Sequence, residues 1–285
     1  MKQKVAYQGI PGAYSHIAAK FLFPKSEFIG FETFEKVFKS LKKGMVDFAV
    51  LPFDNTLVGS IYEVYDLLFK YSYKIKGEIN LKVEHNLLGS HSIKHIRQVY
   101  SHPRALEQCN TFFEKNKKIV QIAFQDTAAA AKFVSQKKDK AKAAIASLHA
   151  AKLYNLKVIK NNIQSDNQNF TRFVVVTKRN NVKKGNKTSI IFAAAHRSGS
   201  LLKCLKPFSQ AQFNLTKIQS RPLIGKPWQF LFYLDFEHPP EPKMVEGVLL
   251  KVKPHTQILK KLGTYQTGPT IKEVLKGLTP KTKVL

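Results

Sequence analysis

The sequence predicts an α/β protein in two parts, a mostly parallel sheet flanked by helices and, behind it, a smaller α+β domain. In the first part, short apolar strands are followed by small or helix-capping residues and then by amphipathic helices. Residues 180–187 are polar, basic and contain glycine, which is typical of a linker. Beyond them the order changes to βαββαβ, which predicts a small sheet with helices on one face.

The elements of the first part are predicted from apolar spacing and from capping residues. Thr33 is a suitable N-cap for a helix whose apolar residues Phe34, Val37, Phe38 and Leu41 recur at helical spacing. The predicted strands are 5–7, 48–51, 99–100, 119–123, 143–146 and 170–177. The other predicted helices begin near Tyr14, Ile61, Pro103, Asp126 and Ser147. An extended stretch at 73–88 interrupts this pattern and is interpreted as a crossing between two lobes.

The second part is predicted from a change in element order. Strands are expected at 189–195, 215–221, 228–236 and 258–265, with helices at 199–208 and 245–252. The residues from Ile271 to Leu285 are basic and are predicted to form a mobile tail.

Composition narrows the function classes. The formal net charge is +28, which is compatible with nucleic-acid binding. However, the lysines are spread along the chain and no zinc-finger spacing occurs, so we interpret the charge as a solvated basic surface. No apolar run is long enough to span a membrane, and no secretory signal is recognisable, so we expect a cytoplasmic protein. Cys109 and Cys204 are expected to be reduced thiols.

Several turns between strands and helices are rich in small and hydroxyl residues. A helix N-terminus presents free amide donors, which suits a carboxylate or phosphate. The sequence contains no P-loop, dinucleotide fingerprint, paired zinc histidines or nucleophile elbow. The residues alone therefore leave two interpretations open, ordinary capped helices or a site for a multiply anionic ligand. The turns are 12–15, 55–60, 101–103 and 126–127, with 171–172 on a later strand.

Five segments, in order, resemble the prephenate dehydratase family, which includes the arogenate dehydratases. They are YQGIPGAYS at 7–15, LPFDNT and GS at 51–56 and 59–60, SHPRALEQC at 101–109, DTAAA at 126–130 and NFTRF at 169–173. The first looks particularly like the plant-type enzymes. Further on, GSL at 199–201 and NLTKIQSRP at 214–222 look like the family's ACT regulatory domain.

The resemblance implies a two-lobed catalytic domain of the type II periplasmic-binding-protein fold, followed by a ferredoxin-like ACT domain. The catalytic domain is expected at 1–180, with lobe 1 at about 1–76 and 160–180 and lobe 2 at about 77–159. The ACT domain is expected at 188–268, and the basic tail at 269–285. The implied reaction is decarboxylating dehydration of prephenate to phenylpyruvate, without a cofactor or metal. Phenylalanine is the implied effector, and the implied assembly is a dimer or tetramer.

Residue roles are carried over from the matching motifs. Thr171 matches the family's catalytic threonine, and Asp54 and Asn55 occupy its Glu-Asn positions. The expected substrate-binding residues are Ser15, Thr56, Gly59, Ser101, His102, Gln108, Asp126, Thr127, Arg172 and Phe173. The expected phenylalanine-binding residues are Gly199, Ser200, Leu201, Asn214, Gln219, Ser220, Arg221 and Pro222.

Two departures from the family pattern bear on these roles. Asp54 is one methylene shorter than the usual glutamate, which weakens the case for a direct role of its carboxylate. Gln219 replaces a glutamate in the ACT motif, so whether phenylalanine still regulates the protein stays open.

Three other functions compete with prephenate dehydration. Arogenate dehydration would give phenylalanine directly, since the substrates differ only by an amino or keto group. A solute-binding protein of the same fold and a nucleic-acid-binding protein are weaker alternatives. No helical segment like that of chorismate mutase fusions precedes the first motif, so we expect a monofunctional enzyme.

Overall fold

The computed structural model describes residues 2–179, 185–223 and 225–272. They form two compact units. The first contains the residues up to Ile61, Ile79–Phe173 and those from Pro269 onward, and the second contains Tyr62–Glu78 and Val174–Gly268. None of the described helices is both long and apolar enough to cross a membrane.

The described elements alternate as the sequence predicts. Their order is β1 (Lys4–Gln8), α1 (Tyr14–Leu22), β2 (Glu27–Phe31), α2 (Phe34–Lys42), β3 (Phe48–Asn55), β4 (Gly59–Ser60), α3 (Tyr62–Tyr71), β5 (Lys74–Lys82), β6 (Asn86–Gly89), β7 (Gln98–Ser101), α4 (Pro103–Glu107), α5 (Asn110–Glu114), β8 (Val120–Ala123), α6 (Thr127–Lys137), β9 (Lys142–Ala146), α7 (Leu148–Leu153), β10 (Lys157–Lys160), β11 (Phe170–Thr177), β12 (Lys187–Ala194), α8 (Ser200–Gln210), β13 (Asn214–Pro222), β14 (Phe230–Glu237), α9 (Pro242–Val252), β15 (Thr256–Tyr265) and β16 (Thr270–Ile271). Two short 3-10 helices lie at Ile93–His95 and Lys253–His255.

Two sheets lie wholly or mainly in the first unit. In one, the strands follow the order β16-β5-β11-β3-β1-β2, with β4 paired to β3; β1 is parallel to both β2 and β3. In the other, the order is β10-β6-β9-β7-β8, with β7 parallel to β8 and β9. Three of these strands are followed closely by a capped helix. Thr33, Asp126 and Ser147 are the N-caps, and each accepts a backbone hydrogen bond from the first turn of its helix.

The predicted tail begins later than expected. Thr270 and Ile271 form β16, which runs parallel to Asn80 and Leu81 of β5, so these two residues are not part of a mobile tail. The Asn80 N–H donates to the Pro269 carbonyl at 3.0 Å and anchors this strand. Residues 273–285 and 180–184 lie outside the described residues, and the predicted domain boundaries stay predictions.

The second unit contains the predicted βαββαβ order. β12, β13, β14 and β15 form an antiparallel sheet in the order β13-β14-β12-β15. Ile190, Phe192, Leu234 and Phe236 on one face share a core with Val245 and other residues of α8 and α9.

The opposite face of this sheet is contacted by residues from earlier in the chain. Tyr233 packs edge-on against Tyr65 of α3, with 4.6 Å between ring centroids, and its hydroxyl donates to the Tyr65 carbonyl. The buried Lys187 ammonium lies 3.0 Å from a carboxylate oxygen of Glu78. The two helices of the βαββαβ order, α8 and α9, thus share one face as predicted, and α3 contributes a contact to the other face.

Candidate active site

Thr171 and Asn55 face each other where β11 begins and β3 ends. The Asn55 Nδ2 group donates to Thr171 Oγ1 at 3.0 Å, to the Phe170 carbonyl at 3.1 Å and to Asn169 Oδ1 at 2.7 Å. The Thr56 N–H also donates to the Phe170 carbonyl. Thr171 is 8% exposed, so its hydroxyl lies in a largely desolvated position.

The backbone determines which way the Asn55 amide points. The N–H groups of Leu57 and Val58 both donate to Asn55 Oδ1, at 3.0 and 2.9 Å. This end of the amide must be the oxygen, so Nδ2 is the end that faces Thr171. Thr171 Oγ1 therefore accepts a hydrogen bond, and no acceptor for its proton lies within hydrogen-bond distance among the described residues. The hydroxyl proton remains available to a ligand.

Asp54 and Arg172 form a second pair on the same two strands. Arg172 Nη1 donates to Asp54 Oδ2 at 3.2 Å, and its guanidinium lies 5.2 Å from the Phe53 ring centroid. Asp54 and Asn55 are successive residues of β3, so their side chains leave the strand on opposite sides. The Ser60 hydroxyl donates to Asp54 Oδ1. The carboxylate is thus held by Arg172 and Ser60, away from Thr171.

The hydrogen bonds of Asn55 continue into a buried amide chain. Because Asn169 Oδ1 accepts from Asn55, its Nδ2 group is the donor to Gln108 Oε1 at 3.0 Å. His85 Nε2 lies 2.7 Å from the same Gln108 oxygen. Asn169 has no exposed surface, and His85 is only 3% exposed. The structure thus brings Gln108 into one network with Asn55 and Thr171.

Thr56 and Gly59 shape the turn between β3 and β4. The Thr56 hydroxyl donates to the Gln168 carbonyl at 2.6 Å and accepts from the Phe170 N–H at 2.9 Å. Gly59 has a φ of +85°, in the region that favours glycine, and pairs with Asn55 across the turn. Both residues therefore hold the turn, and the Thr56 proton is already donated to the backbone.

The glycine-containing loop before α1 contacts helix α7. The Ser147 hydroxyl donates to the Gly12 carbonyl at 3.3 Å, and the Tyr154 hydroxyl donates to the Pro11 carbonyl at 2.5 Å. Gly12 has a φ of +98°, in the region that favours glycine, and a Cβ atom there would be in van der Waals contact with Ala150 Cβ at 3.4 Å. Ser15 is buried in the first turn of α1.

The remaining predicted substrate residues of the first unit lie either at the start of a helix or in the core. His102 and Asp126 cap α4 and α6, and Thr127 is the first residue of α6. Burial raises the pKa of the Asp126 carboxyl, although backbone N–H groups oppose the shift. Ser101 has no exposed surface and donates to the Ile145 carbonyl, and Phe173 is 1% exposed. Ser101 and Phe173 thus lie in the core.

Comparison with known proteins decides the family. A family model described as prephenate dehydratase matches residues 5–181. The chain belongs to the prephenate dehydratase family.

Relatives and solved structures agree over most of the chain. The Arabidopsis thaliana protein named arogenate dehydratase/prephenate dehydratase 2, chloroplastic, is 39% identical over 94% of this chain and 74% of its own length. A structure described as GqqA, a novel type of quorum-quenching acylase, is 28% identical with a TM-score of 0.83, covering 93% of this chain and 98% of that one. Prephenate dehydratase from Arthrobacter aurescens in complex with L-Phe has the same TM-score at 19% identity, covering 92% and 90%. The last comparison confirms the predicted fold class.

The residues predicted to bind an effector in this dehydratase-family chain lie in separate places. Ser200 and Leu201 line a cavity of about 320 Å³ together with Ala194, Arg197 and Phe230. Within the described residues the buried Ser200 hydroxyl has no hydrogen-bond partner. Gly199, with a φ of +75°, precedes α8 at this cavity.

The other predicted effector residues lie on strand β13, which is at the edge of its sheet. They are Asn214, Gln219, Ser220, Arg221 and Pro222, and none of them lines the cavity at Ser200. Arg221 donates to Asp66 of α3 at 2.7 Å and lies over the Tyr62 ring, 4.4 Å from its centroid. The cavity at Ser200 is therefore formed without the β13 residues of the second predicted effector motif.

Sequence reasoning missed two members of the amide chain. Asn169 lies in a recognised segment but was assigned no role, and His85 lies in a stretch interpreted only as a crossing between lobes. A lone histidine next to apolar residues carries no distinctive pattern, and His85 meets Gln108 only in the folded chain.

Proposed function

We propose that this protein is a prephenate dehydratase, which converts prephenate to phenylpyruvate, carbon dioxide and water in L-phenylalanine biosynthesis. The observation that supports it best is the Asn55–Thr171 pair, in a chain whose family is that of prephenate dehydratases. The 39% identity to a protein named for both dehydratase activities exceeds the 28% identity to the one described as an acylase.

The chemistry requires one well-placed proton donor. As the ring carboxylate leaves as carbon dioxide, its bonding electron pair enters the ring, and the ring hydroxyl departs as water after taking up a proton. The Thr171 proton has no acceptor among the described residues, and Asn55 orients its oxygen. We therefore assign Thr171 the role of donor to the leaving hydroxyl and Asn55 the role of orienting it. Thr171 relays a proton, since its own hydroxyl is a weak acid.

The substrate also carries two carboxylates. The Gln108 amide, the capped start of α6 at Asp126 and Thr127, and the overall positive charge supply donors and a favourable potential for anions. Asp54 and Arg172 neutralise each other in part, so we assign this pair to holding the ends of β3 and β11 rather than to proton transfer.

Arogenate dehydration is the second candidate. It is favoured by one observation, the name of the 39% identical Arabidopsis relative, which includes both activities. Arogenate carries an amino group where prephenate carries a keto group. Direct comparison of the two substrates therefore decides between the candidates.

The decisive experiment measures turnover of prephenate and arogenate side by side, following phenylpyruvate and phenylalanine. We expect prephenate to be preferred. Thr171→Ala should lower kcat by at least about 100-fold, the usual size of a lost proton donor, while Thr171→Ser retains most of it. Thr111→Ala, an exposed threonine on α5, is the matched control. Preference for arogenate selects the second candidate, and consumption of neither substrate refutes both.

Regulation and assembly extend the proposal. Residues 188–268 are proposed to form an ACT domain that binds phenylalanine at the cavity lined by Ser200 and Leu201, in a homodimer or homotetramer. Light scattering measures the assembly, and calorimetry measures phenylalanine binding. The cytoplasmic location is proposed from the sequence, and fractionation of the source cells tests it; the Arabidopsis relative is itself named as chloroplastic.

A further inference from the structure

His85 lies where the chain passes from β5 to β6. Its backbone is fixed independently of its ring, because the His85 N–H donates to Gln164 Oε1 at 2.9 Å and its carbonyl accepts from the Ile163 N–H at 2.8 Å. The ring makes one hydrogen bond among the described residues, to Gln108 Oε1 at 2.7 Å. Its Nδ1 atom is buried without a partner.

The direction of the amide chain determines the protonation of this ring. The backbone N–H groups of Leu57 and Val58 orient Asn55, which orients Asn169, which in turn places Gln108 Oε1 towards His85. Because Gln108 Oε1 can only accept, His85 Nε2 must carry the hydrogen. Burial lowers the pKa of His85, and the bond to Gln108 opposes this shift. At neutral pH the ring is therefore neutral, with its hydrogen on Nε2.

Two donors converge on one oxygen of Gln108. Asn169 Nδ2 lies 3.0 Å from Gln108 Oε1 and His85 Nε2 lies 2.7 Å from it. The opposite end of the amide, Gln108 Nε2, has no hydrogen-bond partner among the described residues, and the residue is partly exposed. If the amide rotated by half a turn, its NH₂ group would face the Asn169 and His85 donors, and its oxygen would face the ligand.

We propose that His85 is a positioning residue that locks the Gln108 amide with its NH₂ group turned towards a carboxylate or hydroxyl of the substrate. The inference rests on the proposed function, since Gln108 is itself a proposed substrate residue. His85 touches no reacting atom. It acts by preventing an amide rotation that would present an oxygen to an anion.

The test uses three substitutions that differ in where they place a donor. In His85→Gln the side-chain N–H lies as many bonds from Cβ as histidine Nε2 does. In His85→Asn the N–H lies one bond nearer, at the position of Nδ1, and His85→Leu has no side-chain N–H. We expect kcat/KM to fall about 10- to 100-fold in His85→Leu and His85→Asn, the usual cost of misplacing a binding group, and to recover in His85→Gln to within about threefold of the parent.

A double-mutant cycle separates positioning from general damage. If His85 acts through Gln108, then His85→Leu adds nothing further in a Gln108→Leu background. Leu87→Ala, which leaves a cavity in the apolar core but removes no hydrogen bond of the amide chain, controls for lost stability and should retain the parental kcat/KM while folded.

The outcomes separate the two proposals. Equal losses in His85→Gln and His85→Leu, or additive losses with Gln108→Leu, overturn the positioning role. If His85→Leu does not fold, the comparison of His85→Gln with His85→Asn decides alone, and equal activity overturns the role. A parent protein that consumes neither prephenate nor arogenate refutes the proposed function instead.

Discussion

Replacing Asn55 by aspartate keeps the size and shape of the side chain and changes only what it can donate. One carboxylate oxygen still accepts from the N–H groups of Leu57 and Val58. The other oxygen then faces Asn169 Oδ1, the Phe170 carbonyl and Thr171 Oγ1, all of which are acceptors towards Asn55. The substitution therefore converts three favourable contacts into repulsive ones or forces them to rearrange.

The magnitude follows from these contacts. The two Nδ2 hydrogens account for two hydrogen bonds, each with a net contribution of about 1 kcal/mol. Asn169 Oδ1, in a residue without exposed surface, loses a donor at a cost of about 1–3 kcal/mol. We expect the free energy of unfolding to fall by about 3–5 kcal/mol. Thr171 can satisfy the new carboxylate only by donating its own proton to it, so kcat should fall about 100- to 10,000-fold.

Urea denaturation measures the stability change, and steady-state turnover of the preferred substrate measures kcat. Asn110→Asp, an exposed position at the start of α5, is the matched control and should change stability by no more than about 0.5 kcal/mol. Parental stability and a kcat within about threefold of the parent in Asn55→Asp would refute the assigned direction of the amide chain.

Three further predictions concern charged and titratable groups. Arg221→Ala should change the phenylalanine concentration that half-inhibits turnover more than the uninhibited rate, because its partly exposed pair with Asp66 contributes less than about 1 kcal/mol to stability. Lys187→Met should lower the free energy of unfolding by about 3–5 kcal/mol, because it removes the buried ammonium that compensates the charge of the Glu78 carboxylate. Burial lowers the pKa of His16 from 6.5 to about 4, so its contribution to stability is present above pH 6.5 and is lost towards pH 4, at about 1.4 kcal/mol per pH unit.

Each of these has a defined contrary result. Unchanged half-inhibition in Arg221→Ala would show that this arginine is dispensable for the phenylalanine response. For Lys187, the exposed pair of Lys36 and Glu32 is the control, and Lys36→Met should cost less than about 1 kcal/mol. Equal costs for both lysines would contradict the argument from burial. For His16, urea denaturation of His16→Leu at several pH values should show a flatter acid limb than the parent.

The sequence predicted the elements with strong periodic or capping signals. α2 begins directly after Thr33, as the predicted N-cap indicates, and β11 spans the residues that the apolar run at 170–177 indicates. β2 and β10 were missed, because both are short edge strands that are only partly buried and therefore lack a run of apolar residues. The predicted tail was wrong at 270–271, since pairing with β5 depends on a residue far away in the chain.

The candidate site was predictable in its parts but not in its connections. Motif resemblance identified Thr171, Asn55 and Gln108 as residues of one site. The resemblance gave Asp54 and Asn55 the same role, although their side chains leave β3 on opposite sides. Their different partners, Arg172 and Thr171, become evident only when β11 is known to lie beside β3. Ser101 was predicted to face a ligand, yet its hydroxyl donates to Ile145 across the sheet, a partner that no local pattern indicates.

The membership of α3 in the second unit limits how the gene can be shortened. Tyr65 has no exposed surface, and its ring and carbonyl are covered by Tyr233, which lies far downstream. A fragment that stops near residue 180 would retain Tyr65 and Glu78 but would lack Tyr233 and Lys187. Such a fragment would expose an aromatic surface and a carboxylate that are buried in the full chain. The first unit of this protein therefore cannot be separated from the second by a single cut in the chain.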